Sequence, residues 1–263
     1  MFFVVVVLYL ASYNLYFLLD GPGVRSVLNT RSTTDGKVGP VSSLDDERTD
    51  GRTDGRRMTT REDEGRTATT LRRANSQRGT EEMRVRVKKE QDDAKEADEY
   101  ELEMFGSFRE LDETTREWCF ELTRRNMRAM YEMSWGWDAV EKRRELNNGA
   151  ARFIVARQRE TGAPAAFVHF RFEKEDEDVD APVGYIYELQ CEPEHQRKSL
   201  GRKLVTCVER LSESEDMDAV VLTVLKVNEA ARGFYANKMK YEVDDNSPEE
   251  EDCHYLILSK RFR

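Results

Sequence analysis

Apolar and polar positions divide this chain into three stretches. Residues 1–20, MFFVVVVLYLASYNLYFLLD, are almost wholly apolar. Residues 21–100 are polar and charged with hardly an aromatic, and from Phe105 onward aliphatic and aromatic residues return at regular spacing. The third stretch carries the elements. Between 111 and 145, Leu111, Trp118, Cys119, Leu122, Met127, Met130 and Met133 recur at roughly helical spacing, which predicts one or two helices, with Asp112 as a start signal. RFIVAR at 152–157 reads as a short strand, Glu160-Thr161-Gly162-Ala163-Pro164 as a turn, and the alternating AFVHFRFE at 166–173 as the second arm of a hairpin. After the acidic run KEDEDVDAP, VGYIYELQCE at 183–192 predicts a third strand. Leu200, Leu204, Val205, Val208 and Leu211 share one helical face. AVVLTVLK at 219–226 is nearly all apolar, as a strand covered on both faces must be. Asn228 can cap a helix running to Met239, and strands at 241–243 and 254–260 close the chain. The order α-α-β-β-β-α-β-α-β-β predicts an α/β fold, a mixed and mostly antiparallel sheet of about six to seven strands flanked by helices.

The first two stretches are expected to stand outside that fold. Residues 21–100 hold too little apolar surface to offset the entropy of ordering them, and the RTDG repeat around Thr49–Arg57 is low complexity. The expected organisation is an apolar segment at 1–20, a disordered region at 21–100 and a folded domain at 101–263. The apolar start is about as long as a bilayer core requires, yet lacks the basic region and small-residue exit of a secretory signal. It stays open between a signal-anchor and a mis-assigned start codon.

Charge and cysteines narrow the function classes. A formal net charge of −10 argues against a general nucleic-acid binder, which would carry a basic face, and suits a Lys/Arg-rich partner. The four cysteines (Cys119, Cys191, Cys207, Cys253) form no C-x-x-C pair, so reduced and mostly buried thiols are expected. His169, His195 and His254 have no metal-like spacing, so no metal is expected.

One loop suggests chemistry. QRKSLG at 196–201 joins the 183–192 strand to the following helix. The orphan amides of that helix start, beside Arg197 and Lys198, make an anion site. By itself this is weak, because any basic helix N-terminus looks alike. Followed by a buried strand, Asn228 and then Tyr235 two turns into the next helix, the order is much more specific.

With these residues the chain resembles the GNAT superfamily of acetyl-CoA-dependent N-acetyltransferases. The family's Gln/Arg-x-x-Gly-x-Gly/Ala loop falls on Gln196 to Gly201. WCFELTRRNMRAMYEMSWGW, FVHFRF, YELQ, LTVLKVN and DDNSP…EDCHYLILSKR narrow the resemblance to its histone-specific N-terminal acetyltransferases, over about 117–262. The resemblance implies a GNAT fold and transfer of acetyl from acetyl-CoA, without a metal, to histone tails of the 2A or 4 type beginning Ser-Gly-Arg-Gly. It implies Glu188 as base and Tyr235 as proton donor to the departing thiolate. Acetyl-CoA would be held by Leu189, Gln190 and Cys191, by Gln196, Arg197, Lys198, Ser199, Leu200 and Gly201, and by Thr223 and Asn228. Tyr131, Trp135, Tyr185 and Tyr187 would form a slot for small residues, Glu173 and Glu175 would meet the arginine, and Asn246 and Tyr255 would close over the peptide. A monomer of cytoplasm and nucleus is expected, without direct nucleic-acid contact, and membrane-bound only if the apolar start is a real anchor.

Ser199 departs from the family's glycine. A serine there is strained only if φ is positive, and a somewhat weaker cofactor affinity is expected. Two rival readings remain: a GNAT enzyme acting on a lysine or small amine, and a catalytically weak histone-tail binding module.

Overall fold

The computed structural model describes residues 5–6, 61–93, 98–175, 180–250 and 253–262. Apart from Val5–Val6, the expectations for the apolar start and the RTDG repeat fall outside these residues.

In chain order the elements are strand β1 (Val5–Val6), helices α1 (Arg61–Ala74) and α2 (Gln77–Asp93), and strand β2 (Tyr100–Phe105). Helices α3 (Glu113–Glu132) and α4 (Ala139–Leu146) precede strands β3 (Arg152–Gln158), β4 (Pro164–Lys174) and β5 (Pro182–Cys191). Helix α5 (Leu200–Ser214), strand β6 (Ala219–Leu225) and helix α6 (Glu229–Gly233) follow. A π-helical turn over Phe234–Met239 extends α6, and strands β7 (Glu242–Val243) and β8 (Tyr255–Arg261) end the fold. The sheet order is β2-β3-β4-β5-β6-β8-β7, with β1 beside β5. Among the described residues only β5 and β6 run parallel to each other. This is the mixed, mostly antiparallel sheet that the sequence implies.

The two faces are covered differently. Cys119, Phe120 and Leu122 of α3 pack on Phe153, Val155 and Phe167. On the other face Leu204, Val205 and Val208 of α5 pack on Val168, Phe170, Ile186, Val220 and Leu222.

The boundary at 101 needs correcting. The compact unit containing the sheet takes in Thr59–Arg263, and α1, α2 and the first residue of β2 lie where disorder was expected. Ala74, Met83, Val87, Tyr100 and Met104 are buried in the same core as α5. Polar ties reinforce the docking: Asn75 Nδ2 donates to Phe172 O at 3.0 Å, and Thr67 Oγ1 to Asp180 O at 2.8 Å. At the start of α2 a Cβ on Gly79 would lie 2.6 Å from Arg73 O, so the chain can fold back this tightly only with glycine there.

Two irregularities shape the centre of the sheet. His169 pairs with Glu188 and Phe170 with Ile186, which leaves Tyr187 as an extra residue in β5, a bulge. The parallel β5–β6 pairing runs from Val183–Ala219 only to Ile186–Leu222. Past that point β5 stays with β4 as far as Cys191, while β6 stays with β8 as far as Leu225. The edge of β5 facing this opening pairs with β1 at Leu189 and Glu188.

Candidate active site

The bulge decides which side chains meet. Val183, Tyr185 and Tyr187 share a cluster on one face, while Ile186, Leu189 and Cys191 belong to the core under α5. Regular alternation would put Glu188 under α5 too. The extra residue turns Glu188 and Gln190 to the face of Tyr187, where α3 and α4 meet them. Gln190 Oε1 accepts from Asn126 Nδ2 of α3 at 2.9 Å, and Gln190 Nε2 donates to Glu188 Oε2 at 2.7 Å. Lys142 Nζ of α4 lies 2.8 Å from Glu188 Oε1 and 2.7 Å from Glu145 Oε1.

Glu188 has no exposed surface. Burial pushes its carboxyl up to about 7, helped by the like charge of Glu145 and opposed by Lys142 and the Gln190 amide. A carboxylate tuned to the neighbourhood of neutrality is suited to general-base work. Tyr235, in the π-helical turn, is also fully buried, and burial holds its hydroxyl well above the ordinary tyrosine value. It therefore stays protonated, and its oxygen has no hydrogen-bond partner. The Tyr131 and Tyr241 hydroxyls share this state, and each such donor is free to meet a water or a ligand acceptor.

The 196–201 loop leads into the first turn of α5. Ser199 caps α5 with φ 67°, ψ 6°, and Arg197 has φ 60°, both in the left-handed region. The serine therefore stands in the strained case, and its side chain makes no cap bond. The loop is braced by residues that were placed in the disordered region. Lys203 Nζ meets Asp98 Oδ1 at 2.6 Å, Lys198 Nζ meets Glu99 Oε1 at 3.2 Å, and the Tyr100 hydroxyl lies 2.9 Å from His195 Nδ1. Gly201 faces Phe234 and Leu189, and Leu200 is buried beneath it. Asn228 caps α6, its Oδ1 accepting from Ala231 N at 3.1 Å.

The expected peptide-binding residues form two neighbouring groups. Tyr131 and Trp135 meet edge to face with centroids 5.6 Å apart, and Trp135 meets Tyr255 at 6.0 Å. Trp137 joins them, 5.5 Å from Tyr131. The second group runs along β5: Tyr185 and Tyr187 lie 5.3 Å apart, and the Tyr187 hydroxyl donates to Glu173 Oε1 at 2.8 Å. Burial pushes Glu173 up to about 7, against the pull of that hydroxyl and of Arg171. The Tyr185 hydroxyl and Thr223 Oγ1 are 2.9 Å apart, so the Thr223 side chain serves this group while its backbone lies on the open half of β6.

Two expectations change. Glu175, assigned to the substrate arginine, is already paired with Arg261, which also reaches Asp244 Oδ2 at 3.0 Å. Asn246 serves a turn, its N–H donating to Asp244 Oδ1 at 2.9 Å. Sequence reasoning missed Lys142, Glu145, Asn126 and Trp137. The only trace of the first two is the inward stripe of α4, where Lys142 and Leu146 are the buried pair one turn apart. Reading it required accepting a lysine as a core position.

The acetyltransferase (GNAT) family model matches residues 111–241, a stretch that contains α3 through the π-helical turn. The chain belongs to the GNAT acetyltransferase family. Solved structures similar to this GNAT chain include Arabidopsis thaliana NAA60 with a bisubstrate analogue (15% identity, 61% of this chain and 98% of that chain, TM-score 0.46). Another is the paiA N-acetyltransferase of Thermoplasma acidophilum with coenzyme A (17% identity, 62% and 99%, TM-score 0.45). A third is Arabidopsis thaliana Naa50 with CoA-Ac-MVNAL (17% identity, 61% and 99%, TM-score 0.42).

As a GNAT enzyme the chain uses acetyl-CoA as acyl donor. The residues present fit that cosubstrate: the stretch of β5 that has run past its pairing with β6, a basic helix start at 196–201, and the unmatched Tyr235 hydroxyl. Among the described residues no group of three or more His, Cys, Asp or Glu could hold a metal ion, and no helix is long and apolar enough to cross a membrane.

Proposed function

We propose that this GNAT chain acetylates the α-amino group of peptides beginning Ser-Gly-Arg-Gly, the amino termini of histones of the 2A and 4 type. It would then be an enzyme of the N-alpha-acetyltransferase 40 (NatD) kind, acting in cytoplasm and nucleus. The observation that carries this reading is Glu188, a buried carboxylate held on both oxygens where β5 has run past its pairing with β6, with the tyrosines of β5 and the aromatic group of Tyr131 around it.

The acetyl-CoA thioester supplies an activated acyl carbon. Glu188 takes the proton of the attacking amine. An α-amine has a reference pKa of roughly 8, so transfer to a carboxylate at about 7 is nearly balanced. A lysine ammonium, at roughly 10.4, would be a much harder proton for the same base. Tyr235 donates its hydroxyl proton toward the departing sulfur. Strand-like pairing with the backbone of Leu189 to Cys191 would hold the thioester carbonyl and its extended arm. Glu173, raised by burial and bonded to Tyr187, is the carboxylate left for the substrate arginine once Glu175 is paired with Arg261. An arginine beside Glu173 would restore its charge and form a charge-assisted pair.

A Ser-Gly-Arg-Gly peptide with a free amino terminus should be acetylated and the same peptide with a blocked terminus should not. Acetylation of the blocked peptide on a lysine side chain would overturn the reading. Glu188→Gln should lower kcat by about 100-fold or more, the usual worth of a general base.

A further inference from the structure

We propose that Lys142, on α4, is a positioning residue that holds the Glu188 carboxylate in place and keeps it charged for proton abstraction. The proposal rests on the reading of Glu188 as base. Its ground is the geometry of a buried ion cluster that no sequence motif marks. The Lys142 side chain is 5% exposed, and its ammonium bridges Glu188 and Glu145 at 2.8 and 2.7 Å. A buried ammonium with one carboxylate would be neutral. Here two carboxylates face one lysine, so the cluster carries one negative charge that must be shared or protonated.

Every element around Glu188 contributes a group. From α4 come Lys142 and Glu145, and from α3 the Asn126 amide, which orients Gln190. The α3 residue Tyr131 also presents its ring face 5.2 Å from the Lys142 ammonium. From β4, His169 lies across from Glu188 as an uncharged ring, and the positive charge of Arg171 reaches Glu145. From β5 come Tyr187 and Gln190, and from the π-helical turn the Tyr235 hydroxyl, on which the Glu188 charge acts. Lys142 is the cation that touches the carboxylate directly. Gln190 and Lys142 each hold one oxygen, which fixes the carboxylate plane and leaves the second lone pair of each oxygen for the incoming proton.

The arrangement also joins the base to the peptide slot. Helix α4 starts at the Asp138 cap directly after Trp135-Gly136-Trp137, with Asp138 Oδ1 accepting from Val140 N at 2.8 Å. The aromatic segment therefore leads straight into the helix that carries the lysine.

The test is the acid limb of kcat/KM on one Ser-Gly-Arg-Gly peptide, whose own amine titrates identically with every variant. Lys142→Met should move that limb up by at least one pH unit, lower kcat/KM at pH 7 more than 10-fold and recover toward wild type at high pH. Lys142→Arg should restore the wild-type limb. Glu145→Gln removes the like charge and should move the limb the opposite way, which keeps the proposal testable even if Lys142→Met does not fold. A flat loss at all pH values in Lys142→Met, or an unmoved limb in Glu145→Gln, would overturn the proposal. Glu188→Gln separates the two layers. Impaired turnover there with unmoved limbs in the α4 variants sinks Lys142 alone, while full turnover in Glu188→Gln removes the base reading and this proposal with it.

Discussion

At the scale of single residues, backbone conformation and burial make sharper statements than residue type. Ser199 sits at φ 67°, a region that costs a non-glycine residue roughly 1–2 kcal/mol. Ser199→Gly removes that strain but gives the unfolded chain more freedom, so the net gain should be about 0.5–1 kcal/mol. The thermal midpoint should rise by roughly 1–3 °C. Acetyl-CoA should bind slightly more tightly, and Ser199→Ala, which keeps a Cβ, should do neither. An unchanged midpoint for glycine would mean the loop relaxes at no cost. His169 makes a second case. Its ring is stacked between Phe153 and Tyr187 at 4.9 and 5.0 Å, and neither nitrogen has a partner. Burial, with the charges of Arg171 and Lys142, holds its pKa well below the ordinary 6.5. The unfolded chain therefore binds a proton below pH 6.5 that the folded chain refuses, so this contribution to stability is present above 6.5 and lost as pH falls. His169→Phe keeps a flat ring in the stack and should remove the loss. Its stability relative to wild type, measured by denaturant unfolding, should improve by about 1.4 kcal/mol for each pH unit below 6.5.

At the scale of elements, legibility in the sequence followed the strength of the apolar pattern. The strands at 152–157, 166–173, 183–192 and 219–226 and helix α5 were readable because each buries a long apolar face. Helix α2 was not. Its inward stripe is little more than Met83 and Val87, while Val85 between them is 67% exposed, so neither helical nor strand periodicity stands out. Met83→Ala should nevertheless cost about 2–5 kcal/mol and Val85→Ala less than about 0.5 in the denaturant midpoint. Equal costs would mean that α2 does not dock as described. The bulge at Tyr187 was illegible for a different reason. A register slip depends on the neighbouring strand, and nothing within YIYELQ records it. The resemblance to GNAT enzymes named Glu188, but only the bulge explains why it shares a face with Tyr187. The same holds for the site's polar half. Lys142 and Asn126 became visible only once α3, α4 and β5 were brought together, because their partners lie 46 and 64 residues away along the chain.

At the scale of the whole molecule, the question is where the folded unit starts. The composition shift near Phe105 suggests 101, while the contacts assign Thr59–Arg263, together with β1, to one unit. The difference is energetic. A chain beginning at 101 loses Ala74, Met83, Val87 and Tyr100 from the core, and uncovers Met104, Ile154 and Ala156 of β2 and β3. It also strips Glu215, whose side chain is 1% exposed, of its ion-pair partners Arg73 and Arg86. The loop that would hold acetyl-CoA loses the braces from Asp98 and Glu99. An apolar patch of this kind on a small domain leads to self-association. A chain of residues 59–263 should therefore unfold in one sharp thermal transition and retain turnover. One of 101–263 should be poorly soluble, melt broadly, and bind acetyl-CoA weakly where it stays in solution. The longer of the two also lacks Val5–Val6, which pair with the β5 edge at Leu189 and Glu188, so its acetyl-CoA affinity should be no lower than that of the full chain. Soluble, cooperative and fully active 101–263 would mean that α1, α2 and the start of β2 lie on a core already complete without them.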